Sequence, residues 1–253
     1  MLHYCQHNVK AIVLALLLLC NKAFGSADPM ILSHNALRNE VHSMITALGS
    51  LIDRTETKDG DSAVPKWTVD TLHTLWKKHE LHASDHCMSE ETMYKPLLGD
   101  NWPDAIDQTH SELNSMQKQV KKAVDKLSKD RFSLKAVHDS LLKYKETMLN
   151  HLELEEKIVL PLLRDNLTPE EMSQMQRKML EEGDENAMGA LIYAMSSDGS
   201  KFRNEFMKPR NIPSFVWFVA FKRQLGHYKD TVVAKVEAIE SGEQPTMKRT
   251  GWL

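Results

Sequence analysis

The pattern His, three residues, Glu-Glu, four residues, Pro-Leu-Leu occurs twice in this chain. The first copy opens His86-Cys87-Met88-Ser89-Glu90-Glu91 and closes Pro96-Leu97-Leu98. The second opens His151-Leu152-Glu153-Leu154-Glu155-Glu156 and closes Pro161-Leu162-Leu163. Side chains four positions apart lie one helical turn apart on the same face. His86 with Glu90, and His151 with Glu155, therefore each form an imidazole–carboxylate pair pointing one way. Such a duplication demands two helices whose marked faces meet, and it reads as one ligand cassette used twice.

At 253 residues the chain can bury a sizeable core as one or two domains. Residues 1–27 are expected to stand outside the fold as a signal peptide. Lys10 precedes an apolar run from Ala11 to Cys20, and small residues follow at Ala23, Gly25, Ser26 and Ala27. The run is too short to span a bilayer but suits secretory export with cleavage near Ala27. A plastid-targeting signal or an uncleaved membrane anchor are the alternatives. Removing the segment takes Lys10 and Lys22 from 32 basic residues, leaving 30 against 35 acidic ones. That balance gives no nucleic-acid footprint. Cys87 is then the one remaining cysteine, so no internal disulfide can form.

Asp28-Pro29 is a helix opening, Asp as N-cap and Pro at the first position. Ile31, Leu37, Val41, Met44, Leu48 and Leu51 then form a stripe that includes His34, and a polar loop is expected from Asp53 to Pro65. A second helix is expected from about Trp67 to Leu97, with Leu72, Leu75, His79, His82, His86, Glu90, Met93 and Leu97 inward and Pro96 breaking its last turn. A third carries Ile106, His110, Leu113, Val120, Val124 and Leu127. A fourth, from near Ser133, carries Leu134, Leu141, Tyr144, Met148, His151, Glu155, Ile158 and Leu162. Stripes that are apolar at the ends and ligand-like in the middle suit a polar site built inside a bundle core. The expected fold is all-α: an antiparallel four-helix bundle over residues 28–166 and a helical extension over 167–253. In the extension, Thr168-Pro169-Glu170-Glu171 is a capping box. A short helix is expected around Ala187–Met195 and a last helix from Pro213 to about Glu240. The apolar run Phe215–Phe221 in that last helix is expected to pack against the bundle, with a partner-binding surface as the alternative.

The repeat extends to a lone inward histidine one helix before each cassette: His34 before His86, and His110 before His151. Folding the halves together around a pseudo-twofold brings His34, His86, Glu90, His110, His151 and Glu155 near one point. Six nitrogen and oxygen ligands exceed the four of a closed zinc site. They suit two ions, with iron or manganese favoured over copper or calcium. Two octahedral ions offer about twelve positions. Four imidazoles, two bridging carboxylates and a bridging oxide or hydroxide leave about two open for dioxygen, peroxide or water. His82, one turn before His86, is a candidate fifth imidazole, against a supporting or buried-polar role for it and His79. His42, His138 and the pair His227/Asp230 read as surface. Glu91 and Glu156 read as hydrogen-bonding neighbours or solvated groups, with a ligand variant as the alternative, and Cys87, about 100° from His86, as a buried inert thiol, with a metal thiolate as the alternative.

Over roughly Pro29 to Leu163 this arrangement resembles the hemerythrin-like, HHE cation-binding family. The resemblance implies a non-haem di-iron site with His34, His86, Glu90, His110, His151 and Glu155 at the ligand positions, the Glu residues bridging and the His residues terminal. It implies two iron ions, oxo- or hydroxo-bridged, cycling between ferrous and ferric states, with manganese or zinc less favoured. The oxygen-carrying members place HxxxH on the third helix and a His-then-Asp pair on the fourth. Here stand His110 alone and Glu155, so the broader family is implied, with roles in iron or oxygen sensing, storage and redox chemistry. Three functions are open at this point: a protein that binds or senses dioxygen or holds iron, a di-iron oxidase or peroxide-handling enzyme, and a metal-free helical interaction module. No Gly-rich phosphate loop, GxSxG elbow or CxxC pair competes.

Overall fold

The computed structural model describes residues 28–56, 64–127, 134–168, 170–172, 174–175, 178 and 185–244. The expected signal segment, and the end of the helix that opens at Thr168, lie outside them. The described residues are all-α, with helices and turns and no strand.

Helix α1 spans Pro29–Glu56. It starts as the sequence dictates: the Asp28 carboxylate accepts from Met30 N–H at 3.0 Å and receives Arg164 at 3.0 Å. The helix runs on to Glu56, taking in the first four residues of the expected loop, and Arg54 uses that last turn. Its guanidinium donates to the carbonyls of Ile239 and Glu240 at the far end of the chain.

Helix α2 runs Lys66–Ser89, passes through a π-helical turn Glu90–Tyr94, and closes as Lys95–Leu98. Helix α3 spans Asp104–Leu127. Helix α4 runs Leu134–Leu154, through a π turn Glu155–Val159, and closes as Leu160–Asn166. Each cassette thus enters a π turn at its first glutamate. Lys95 N–H bonds the Glu90 carbonyl, and Leu160 N–H bonds the Glu155 carbonyl. The prolines that follow, Pro96 and Pro161, would clash with the carbonyl four residues back in a regular α-helix, and a widened turn relieves that clash. Pro96 therefore does not break α2, as the sequence suggested; the helix absorbs it.

The widened turn also corrects the expected inward stripe. One extra residue rotates everything after it, so Leu98 rather than Leu97 is buried in α2, and Leu97 is 50% exposed. In α4 the inward residues are Val159 and Leu163 rather than Ile158 and Leu162, which are half-buried.

The extension comprises α5 (Glu185–Met195), a π turn α6 (Phe202–Met207) and a long helix α7. Helix α7 starts at Ser214–Val216, widens at Trp217–Phe221 and again at Lys229–Val233, and ends with Ala234–Ser241. Both α5 and the C-terminal part of α7 pack on α1, and α7 also reaches α2. Within the apolar run, Val216, Trp217, Ala220 and Phe221 are buried with Leu32, Ile192 and Phe202, whereas Phe215, Phe218 and Val219 are exposed.

A central core (Leu37, Ala83, Leu113, Met148, Leu152) is shared by α1–α4 and receives Tyr228 and Ile239 from α7. An end core (Met30, Met93, Ile106, Val159) lies across the ligand positions from it. Every candidate ligand sits between these two apolar layers.

The α5–α7 crossing depends on Gly189, where a Cβ would lie 2.5 Å from Tyr228 Cβ and 2.6 Å from the Gln224 carbonyl. Gly189→Ala is expected to lower the urea midpoint by ~2 kcal/mol of stability, the size of other overpacking substitutions. An unchanged midpoint would contradict this crossing.

Candidate metal centre

The six ligand candidates converge. Imidazole pairs form by helix neighbour, His34 against His86 with ring centroids 5.0 Å apart and His110 against His151 at 4.8 Å. The two carboxylates lie between the pairs, each with one oxygen toward either side. Glu90 Oε1 is 3.2 Å from His86 Nε2, and its Oε2 is 3.4 Å from His110 Nε2. Glu155 Oε2 is 3.2 Å from His34 Nε2 and 3.7 Å from His86 Nε2. Its Oε1 is 2.9 Å from His151 Nε2 and 3.6 Å from His110 Nε2. Two groups of donor atoms result, each mutually within 4.8 Å: His34, His86, Glu90 and Glu155, and Cys87, Glu90, His110 and His151.

All six residues are at least 95% buried. Yet His34 Nε2, both nitrogens of His86, His110 Nε2 and all four oxygens of Glu90 and Glu155 have no hydrogen-bond partner. Buried polar atoms are almost always paired, because each unpaired one costs on the order of 1–3 kcal/mol. Seven of them, all but His86 Nδ1 on the far side of its ring, face one another, and such a set of nitrogens and carboxylate oxygens could hold metal ions.

The outward ring nitrogens are held by a second repeat. His34 Nδ1 lies 2.8 Å from Glu156 Oε1, and His110 Nδ1 lies 2.9 Å from Glu91 Oε1. In each cassette the first Glu enters the chamber, and the second orients the lone histidine of the other half. An Nδ1–H donated to a carboxylate leaves the Nε2 lone pair facing inward, the tautomer a metal needs. Arg38, 2.7 Å from Glu156, helps hold that carboxyl below its usual range, against burial and together with His34. The Thr109 hydroxyl is 2.9 Å from His151 Nδ1.

Charge in the chamber is polarised by proximity. Burial, followed by the neighbouring Glu155 charge, pushes Glu90 well above the usual carboxyl range. Burial acts upward on Glu155 too but is outweighed by the imidazoles of His110, His151, His34 and His86, so it stays ionised. Burial pulls His86 down to about 4. Two adjacent buried carboxylates cannot both stay charged unless cations replace the missing proton.

Cys87 is half-buried and is not set apart from the ligands. Its Sγ is 3.9 Å from His151 Nε2. Helix α2 is flanked on two sides, so consecutive residues 100° apart both face inward. Burial raises its thiol to about 11.

His79 and His82 belong to a different buried network. Glu40 Oε2 is 2.9 Å from His79 Nδ1 and 3.1 Å from His82 Nδ1, and His79 Nε2 is 3.0 Å from the Tyr144 hydroxyl. Burial, and then the nearby Glu40 charge, raise the Tyr228 hydroxyl above its usual range. His82 therefore stands with Glu40 rather than as a fifth imidazole. The sequence reading missed Glu40, although its spacing with Leu37 and Met44 placed an acid on the core stripe. His42 is exposed as expected. His138, expected at the surface, is only 23% exposed, beside Gly49.

Comparison with protein-family models, curated proteins and solved structures returns no match. No described helix is long and apolar enough to cross a membrane.

Burial pushes the Glu40 carboxyl up, but His82 and His79 outweigh it and hold it at about 2, below its ordinary 4.5. A depressed carboxyl stabilises fully above its unfolded value and loses that contribution as pH falls through the folded one. In metal-free protein, the stability difference between wild type and Glu40→Gln is expected to be constant above pH ~5 and to shrink toward pH ~2. Urea titrations across that range measure it, and a flat difference would contradict the pairing.

Proposed function

We propose that this chain is a hemerythrin-like protein that holds two iron ions and uses them to bind or sense dioxygen or a related small ligand, or to hold iron. In this reading α1–α4 form an antiparallel four-helix bundle. Alternation supports it: α1 and α3 pass from end core through histidine to central core, and α2 and α4 pass the other way. The observation that carries the function is the division of each carboxylate between the histidine pairs. Glu90 and Glu155 each turn one oxygen to His34/His86 and the other to His110/His151.

His34 and His86 would hold one ion, His110 and His151 the other, and Glu90 and Glu155 would bridge. Nitrogen and carboxylate donors with positions left over favour iron. Bound there, the iron pair supplies a one-electron couple at each ion and open positions for a small ligand. The protein's part is to fix the tautomers of His110, His34 and His151 through Glu91, Glu156 and Thr109, and to exclude bulk water with the two apolar layers. Ions that bind the folded chamber and not the unfolded chain should stabilise the fold by mass action.

Iron-loaded protein is expected to contain about two irons per chain, the number that two bridged octahedral sites require. Elemental analysis should show both lost together in Glu155→Ala, because one carboxylate serves both ions. A chain with no iron after anaerobic ferrous loading would contradict the proposal. Rapid, repeated disposal of added peroxide would instead favour the enzyme.

A further inference from the structure

The two halves of the chamber are not equivalent, and the difference is sulfur. Cys87 follows His86 as Leu152 follows His151, so the two occupy matching places in the cassettes. Cys87 reaches across to the other half, with Sγ 3.9 Å from His151 Nε2. Leu152 is fully buried in the central core and offers no donor. The donor atoms of Cys87, Glu90, His110 and His151 all lie within 4.8 Å of one another. Within that group both oxygens of Glu90 and the Nε2 of His110 are unpartnered, in side chains 99% and 97% buried. The lone sulfur thus stands against independent, unsatisfied donors aimed at the same point.

We infer that Cys87 is a metal ligand, giving the His110/His151 ion a thiolate that the His34/His86 ion lacks. This rests on the two-ion reading and adds to it a mixed nitrogen, oxygen and sulfur site beside a nitrogen and oxygen site. On binding, the S–H bond breaks, the proton leaves to solvent, and the sulfur lone pair bonds the ion. A soft donor shifts preference toward thiophilic ions such as zinc, cobalt or ferrous iron. One half of the chamber should therefore accept and retain such ions more strongly than the other. The cation also reverses the effect of burial on the thiol, because a coordinating thiol is deprotonated outright.

Cobalt(II) is the probe. The full chain, with Cys5→Ser and Cys20→Ser so that Cys87 is the one sulfhydryl, is stripped of metal and titrated with cobalt. Thiolate-to-cobalt charge-transfer absorption is expected as the chain fills, and Cys87→Ser, with its helical circular dichroism intact, should lose it and release the His110/His151 ion more readily. Two cobalts bound without that absorption, or absorption surviving in Cys87→Ser, would overturn the sulfur assignment and leave the two-ion reading standing. A chain that takes up no cobalt contradicts the two-ion reading and the sulfur assignment with it. Should Cys87→Ser fail to fold, the parent decides: cobalt should slow Cys87 reaction with a thiol reagent at least ~10-fold, because a bound thiolate is withdrawn from attack. An unchanged rate overturns the assignment.

Discussion

Glu90 and Glu155 are buried side by side, and two carboxylates in such a place repel each other unless a proton or a cation lies between them. Burying an unpaired charge is among the costlier arrangements available to a folded chain. Four imidazoles surround the pair, yet their nitrogens approach at 2.9–3.7 Å without closing hydrogen bonds. The surrounding helices are organised so that this arrangement is held open. Apolar layers close it from both ends, and from outside Glu156 holds His34, Glu91 holds His110 and Thr109 holds His151 at their far nitrogens.

The π turns connect the cassette's two ends. In both copies the turn begins at the cassette's first glutamate and ends two residues before the proline. It keeps His and Glu one α-helical turn apart, accommodates the proline ring, and turns Leu98 and Leu163 into the end core. Placement of the candidate ligands and closure of the chamber floor are thus one local device, used twice. The extension supports the opposite end. Tyr228 of α7 lies beside the Glu40–His79–His82 network, and Arg54 and Gly242 terminate α7, with Gly242 in the left-handed region at φ 73° and its N–H bonding the Ala238 carbonyl.

Much of this was legible in the sequence because spacing of four on a helix is a geometric statement. His86/Glu90 and His151/Glu155, together with His34 and His110 on apolar stripes, were found from periodicity alone, and the structure brings all six together. What spacing could not give was any effect that changes the period. The π turns displaced Leu97, Ile158 and Leu162 from the inward face by one residue. Pairing between distant residues was equally invisible: Glu40 against His79 and His82, and Glu156 against His34, join positions far apart in the chain. Cys87, read as a buried inert thiol with a metal thiolate as the alternative, is half-buried with its Sγ 3.9 Å from His151 Nε2, because a helix with neighbours on two sides has no single inward direction.

The central claim is that two ions share Glu90 and Glu155. Anomalous diffraction at the iron edge from crystals of the iron-loaded chain tests it most directly. Two peaks in the chamber should appear, one against His34 and His86 and the other against His110 and His151, with both carboxylates reaching both peaks. A single peak, or iron bound elsewhere while the chamber holds none, would contradict the account.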